Sequence, residues 1–309
     1  MVACKVLRHM IELGFVFFRA LSFSLLLVAE LGVPFANDPI RGAKNLVRLL
    51  YKHESWASVN TLRDSGLNLE DKWVYLLSQR SRVVMHALGD YSRRNSLAGV
   101  SSSAAKGAEF FEVDIFLDES GRLRCHHGPE YPEPYQAGDC EFALLLSTLP
   151  QNSFLILDVK TNFVTTANEV LKELSQKEMS ESRSKVIFQL YLPSHLRWFV
   201  EAGRRHPDVL RNKPIVTLYR THSYAPFVSL ASPDFVGAIT YPWSRLDMKS
   251  LESFLFKVNK PLLTHAISDC NALMDAIDSG VVGIYGPNTL LDCHEFSQYN
   301  KLSSDHDGG

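Results

Sequence analysis

FFEVDIFLDESGRLRCHHG, residues 110–128, sets the terms on which the rest of the chain is read. Its first half, Phe110 to Leu117, is aromatic and aliphatic except for Glu112 and Asp114. On a strand, residues i and i+2 share a face, so both carboxylates leave an apolar segment in the same direction. Two uncompensated carboxylates in such a setting are costly, and a divalent cation with hard oxygen ligands is the simplest compensation. Glu119-Ser120-Gly121 reads as a turn. A second short strand, Arg122 to His126, then delivers His127 fifteen residues after Glu112. Together these residues predict a metal-assisted acid–base site. They also admit a plainer account, in which Glu112 and Asp114 face solvent on an edge strand and His126-His127 belong to a polar loop.

At 309 residues the chain can bury one large core or two modest ones. It is 46% apolar and 21% charged, ordinary for a globular protein. A formal net charge of -2 offers no basic field, which argues against nucleic acid as a partner. The five cysteines (4, 125, 140, 270 and 293) are few, odd in number and without CxxC spacing, so a structural zinc site is unsupported. Cys125 and Cys140 bracket a Pro-rich loop, either as a bridge in an oxidising compartment or as buried thiols.

The N-terminus differs from everything after it. Lys5 and Arg8 precede an apolar run, Phe15 to Val33, broken by Arg19, a few serines and Glu30. This pattern predicts a secretory signal or a membrane anchor, hence a secreted or membrane-associated protein. The alternative is an amphipathic helix. The expected division is a signal peptide or anchor at 1–36, a helical lead-in at 37–80, a catalytic barrel at 81–295 and a disordered tail at 296–309.

From Ser81 onward, β-branched runs alternate with helical patterns. Strands are expected at Arg82–His86, Phe110–Leu117, Phe154–Lys160, Lys185–Leu192, Pro214–Tyr219, Val236–Tyr241, Pro261–Ala266 and Val282–Tyr285. Helices are expected at Ser96–Lys106, Thr165–Glu178, Pro193–Gly203, Ser250–Lys257 and Asp269–Asp278. Eight strand–helix units in this length predict a (β/α)8 TIM barrel. A doubly wound sheet is the alternative, but no Gly-rich phosphate loop follows any strand.

In such a barrel, chemistry gathers at the C-terminal ends of the strands. His86 ends the first strand, Asp158 and Lys160 end the third as a second i, i+2 pair, and His265 ends the seventh. Each alone has a dull explanation in packing or ion pairing. Their recurrence at one end of the barrel does not.

These residues resemble the phospholipase-C-like phosphodiesterases, specifically glycerophosphodiester phosphodiesterases and sphingomyelinase D-type phospholipases. The shared pattern is a strand-end His (His86), Glu-x-Asp (Glu112-Val113-Asp114), a turn at Gly121, a second His (His127) and an acidic-x-Lys strand (Asp158-Val159-Lys160). Asn95-Ser96-Leu97-Ala98 and Gly107-Ala108 also resemble the E-N-T-L-A…G-A segment of glycerophosphodiesterases. In those enzymes Arg usually follows the first His, where this chain has Ala87; Arg94 stands where their Glu precedes Asn. Asp-Val-Lys-Thr at 158–161 is closer to the sphingomyelinase D-type pattern. The resemblance implies that Glu112, Asp114 and Asp158 bind one Mg2+ or Ca2+, an all-oxygen set that suits a hard cation. It implies His86 and His127 as general base and acid, with Lys160 on a phosphate oxygen. The substrate would be a glycerophosphodiester or a lyso- or sphingophospholipid.

Tyr241 and Trp243 are candidates to stack on a cationic head group, and His265 to line the pocket. The loop from Gly128 to Cys140 either covers the site or merely connects. His195, His206, His222 and His294 read as surface residues. Against the enzyme stands a catalytically inactive, membrane-associated TIM-barrel binding protein.

Overall fold

The computed structural model describes residues 66–89, 94–127, 140–160, 162–218, 235–245, 260–265 and 267–293. The chain divides into two units, Met1–Ser58 and Val59–Gly309, and every described residue lies in the second. The predicted signal or anchor, most of the lead-in, the helix Ser250–Lys257, loop residues 128–139, His222, His294 and the tail lie outside them. Among the described residues, no helix is long and apolar enough to cross a membrane.

Eight parallel strands close on themselves: β1 (Val83–Met85), β2 (Phe110–Leu117), β4 (Phe154–Val159), β5 (Val186–Leu190), β6 (Ile215–Thr217), β7 (Ala238–Pro242), β8 (Leu262–His265) and β9 (Gly283–Gly286). Closure is made by β1, which pairs with β2 on one side (Val84 against Phe110) and β9 on the other (Val84 against Tyr285). The ninth strand, β3 (Leu123–Cys125), folds back antiparallel on the end of β2. All eight predicted barrel strands are present: β2 has the expected bounds, β7 and β9 start later and end one residue further on, and the other five, like the return strand, are trimmed by a residue or two. The helices expected at Ser96–Lys106, Pro193–Gly203 and Asp269–Asp278 are found at Leu97–Ala105, Pro193–Arg205 and Cys270–Asp278. The one expected over Thr165–Glu178 runs from Phe163 to Leu174, with a 3-10 turn at Lys177–Met179 after it. An unforeseen helix, Phe142–Thr148, spans two turns, too short for its periodicity to stand out in the sequence.

The barrel interior is layered by chemistry. At its base, Val84, Phe110, Ile156, Ile187, Ile215, Ala238 and Leu263 form one apolar cluster with Trp73 and Leu77. Trp73 lies in the short helix Lys72–Leu76 just before β1, is fully buried, and donates its indole N–H to Lys213 O at 3.1 Å. It approaches so near Gly237 that a Cβ there would lie 2.8 Å from the indole. The described part of the lead-in is thus a plug for the barrel floor. Two steps along each strand, toward the C-terminal ends, the inward positions turn polar: Glu112 and Asp114 on β2, Asp158 on β4, Gln189 on β5 and Thr240 on β7.

Two disulfides stitch the upper rim. Cys125–Cys140 ties the end of β3 to the start of the next helix, which settles the open question about those thiols as a bridge. Cys270–Cys293, not foreseen, joins the start of the last helix to the turn after β9.

Candidate active site

Glu112 and Asp114 leave β2 on the inward face, and Asp158 is in register with Asp114 on β4. All three carboxylates are buried, with one oxygen of each within 4.8 Å of the others. That excludes the exposed edge-strand account of Glu112 and Asp114. The β2–β3 hairpin closes with the His126 N–H donating to Asp114 O at 2.9 Å. It thereby returns His127 over the cluster, where Nδ1 lies 3.0 Å from Asp114 Oδ2. Lys160 bridges the two aspartates, its Nζ 2.8 Å from Asp114 Oδ1 and 2.6 Å from Asp158 Oδ2. His86 Nε2 is 3.8 Å from Glu112 Oε2.

A strained turn places the His86 side of the site. Directly after His86, Ala87 and Leu88 adopt positive φ of 49° and 65°, a conformation costly for residues with a Cβ. The turn lets the Ala87 N–H donate to Glu112 Oε2 at 2.8 Å. Ala87 O accepts from the Asn95 N–H at 2.9 Å. Asn95 in turn grips Asp114 twice, donating from Nδ2 to Oδ2 at 2.9 Å and accepting the Asp114 N–H on Oδ1 at 3.1 Å. Asn95 was noted in the sequence for its resemblance but not for a role in the site.

The electrostatics are those of an anionic cage. Burial, reinforced by the charges of Asp114 and Asp158, pushes the Glu112 carboxyl well above its ordinary range. Burial and Asp114 likewise raise Asp158 against the pull of Lys160. Burial also acts on Asp114, but the hydrogen bond from His127 and the Lys160 charge outweigh it and hold that carboxyl below its usual range. Lys160 is desolvated yet faces three carboxylates, and its ammonium is raised. Desolvation pulls His86 down from 6.5 to about 4, so the imidazole is neutral at physiological pH.

The residues fit a divalent cation. Three carboxylates and one ammonium leave a formal charge of -2 in a buried pocket, which one divalent ion neutralises. Asp158 Oδ1 is buried and has no hydrogen-bond partner among the described residues. A buried carboxylate oxygen without a donor is what a metal ligand looks like before its ion is added. The donors are all oxygens, the preference of Mg2+ and Ca2+.

Of the weaker candidates, His265 belongs to the mouth: its Nδ1 is 3.3 Å from Thr240 Oγ1, and its ring meets Tyr285 edge-on at 6.5 Å. Tyr241 is buried, and alternation on β7 turns it to the face opposite Thr240, away from the barrel interior. Trp243 is half-buried in the 3-10 turn after β7. His206 is exposed, as read. The reading of His195 as a partnerless surface residue is corrected. Its ring stacks on Phe163 with centroids 3.7 Å apart, and its Nδ1 accepts the Tyr191 N–H at 3.3 Å. The stacking partner comes from the preceding strand–helix unit, which a lone histidine in a helix's first turn does not reveal. Gln189 on β5, Tyr191 just after it and Tyr285 on β9 also join the site without having been foreseen, since neutral side chains in or beside apolar strands carry no sequence signal.

No protein-family model matches the chain, and no curated protein is similar to it by sequence. Similarity appears in three dimensions. An Oleispira antarctica phosphodiesterase in complex with the product sn-glycerol-3-phosphate superposes with a TM-score of 0.54 at 12% identity, over 73% of this chain and 99% of that one. A glycerophosphodiester phosphodiesterase from Parabacteroides distasonis gives 0.51 at 12%, over 74% and 99%. The class that emerges is a (β/α)8 barrel with an acidic mouth. Within that class, the chain has the fold of the glycerophosphodiester phosphodiesterases.

Proposed function

We propose that the protein is a divalent-metal-dependent phosphodiesterase that cleaves glycerophosphodiesters or the head groups of lyso- or sphingophospholipids. The observation that carries the reading is the buried Glu112–Asp114–Asp158 cluster, with its unpartnered Asp158 oxygen, set between two histidines and a lysine. The cation, Mg2+ or Ca2+, would supply Lewis-acid stabilisation of charge on a phosphate oxygen. Lys160 adds a fixed positive charge beside it. His86, kept neutral by desolvation, is suited to accept a proton from the attacking hydroxyl. His127 donates Nδ1–H to Asp114, which fixes its tautomer and makes Nε2 the nitrogen that exchanges protons with the leaving group. The attacking hydroxyl is the substrate's own or that of water; attack from within the substrate gives a cyclic phosphate.

Lipid substrates are favoured by the rim. Val164, in the first turn of the helix after β4, and Leu192, capping the helix after β5, are exposed aliphatic side chains at the C-terminal end of the barrel. Two disulfides and the N-terminal apolar run support passage through an oxidising compartment to a secreted or membrane-associated location. An inactive binding barrel would not need two histidines and a lysine around the carboxylates.

Phosphorus NMR tests the reading. The full chain is incubated with glycerophosphocholine, lysophosphatidylcholine or sphingomyelin, with Mg2+ and then with EDTA. An EDTA-sensitive product resonance that disappears in His127→Ala is the expected result. Folded, metal-loaded protein that turns over none of the three diesters would refute it.

A further inference from the structure

We propose that Tyr191 is a positioning residue, the last donor of a hydrogen-bond chain from Tyr285 through Gln189 that turns Asp158 so that Oδ1 faces the cation. The inference rests on the metal-dependent reading of the site.

The chain crosses the barrel mouth in one direction. Tyr285, on β9, donates its hydroxyl to Gln189 Oε1 on β5 at 2.9 Å. That contact leaves the other end of the amide, Nε2, facing the Tyr191 oxygen at 2.5 Å. A phenol oxygen that accepts there has its own proton left to give, and the acceptor it meets, at 2.5 Å, is Asp158 Oδ2. Reversing the amide would aim Gln189 Oε1 at Tyr191 and draw the phenol proton away from a carboxylate that cannot donate in return. Lys160 Nζ also reaches Oδ2, at 2.6 Å. Donors thus converge on one oxygen of Asp158, while Oδ1 has no partner among the described residues.

Both ends of the chain are anchored. The Tyr191 backbone N–H donates to His195 Nδ1, and His195 is held flat on Phe163. Gln189 is buried and in register with Asp158. The Tyr285 ring stands edge-on to both His86 and His265, at 6.4 and 6.5 Å. The phenol that starts the chain to a metal ligand therefore also walls the proton-accepting imidazole. Outer partners of this kind orient ligands without touching the ion, and their loss typically costs about 10–100-fold in affinity.

The test compares wild type, Tyr191→Phe and Tyr285→Phe as full chains. Mg2+ affinity is read by calorimetry, Mn2+ affinity by electron paramagnetic resonance, and Tm in EDTA. Tyr191→Phe removes one hydroxyl and is expected to weaken both ions about 10-fold or more, with a metal-free Tm close to wild type. Tyr285→Phe frees the amide to reverse and is expected to produce a smaller loss of the same sign. Unchanged affinity in Tyr191→Phe, with wild type binding normally, overturns the inference alone. So does a fall in metal-free Tm with affinity intact, the mark of a merely structural tyrosine. Wild type that binds neither ion overturns the metal reading and the inference together.

Discussion

Replacing Glu112 with Gln should make the metal-free protein more stable while destroying its response to metal. Glu112 is buried, and its carboxyl is raised by desolvation and by the Asp114 and Asp158 charges. Where the folded state keeps a proton that the unfolded chain has released, stability falls as pH rises. The decline begins near the unfolded value of 4.5 and continues up to the raised folded value. At pH 7, roughly 2.5 pH units above that starting point at about 1.36 kcal/mol each, the cost of holding Glu112 neutral reaches at most about 3.4 kcal/mol. Gln carries no such cost and can still accept the Ala87 N–H, now 2.8 Å from Glu112 Oε2. Urea unfolding in EDTA at pH 5, 6, 7 and 8 should show the variant gaining over wild type as pH increases, by up to that amount at pH 7. Saturating Mg2+ closes most of that gap. At 100-fold excess over Kd, ligand linkage stabilises wild type by about 2.7 kcal/mol, while the variant, short of one carboxylate, gains little. A metal-free Glu112→Gln protein less stable than wild type at pH 7 and 8 would show that the cluster is not a strained anionic cage.

Two predictions concern the frame that holds the site. Trp73→Ala empties the barrel floor and removes the indole bond to Lys213 O, so unfolding free energy should drop by about 3–5 kcal/mol. Trp73 sits at the end opposite the carboxylates, so turnover per folded molecule should be near wild type, measured by pairing denaturant curves with active-site titration. Replacing Cys270 and Cys293 by Ser opens a loop with a sequence separation of 23, which loop-closure entropy values at about 3 kcal/mol; a Tm equal to wild type would count against that bridge.

Legibility in the sequence followed the kind of signal each element leaves. The barrel strands are short apolar runs bounded by turns, and the carboxylates stand out because charge at i and i+2 interrupts such runs in β2 and again in β4. Hence Glu112, Asp114, Asp158 and Lys160 could be placed on one face before any coordinates. What escaped depends on closure in three dimensions. Gln189 and Tyr285 are 96 residues apart and meet only because β5 and β9 face each other across the mouth. Trp73 in the lead-in carries no sequence signal of its own, because the floor it fills exists only once the barrel closes. Cys270 and Cys293 meet because the last strand returns the chain beside the helix that precedes it.

The turn after His86 carries the argument one step further. A residue in the left-handed region pays about 1–2 kcal/mol for its Cβ, and here two consecutive non-glycine residues do so. What holds them is backbone bonding: Ala87 N–H to Glu112, Asn95 N–H to Ala87 O, and Ser103 Oγ to Leu88 O. Nothing in that arrangement uses the side chain of residue 87. The Ala87 that stands where glycerophosphodiesterases usually carry Arg therefore leaves the geometry of the carboxylates intact. On the phosphodiesterase reading, what the chain lacks is the cation those enzymes carry at this position, which leaves Lys160 as the positive charge beside the carboxylates. On that reading the departure would bear on which diester is held rather than on whether one is cleaved. On that reading Ala87→Arg, checked for folding by near-UV circular dichroism because residue 87 is buried, should change KM for small glycerophosphodiesters more than kcat; a folded variant whose kcat falls with KM unchanged would place residue 87 in the chemistry instead.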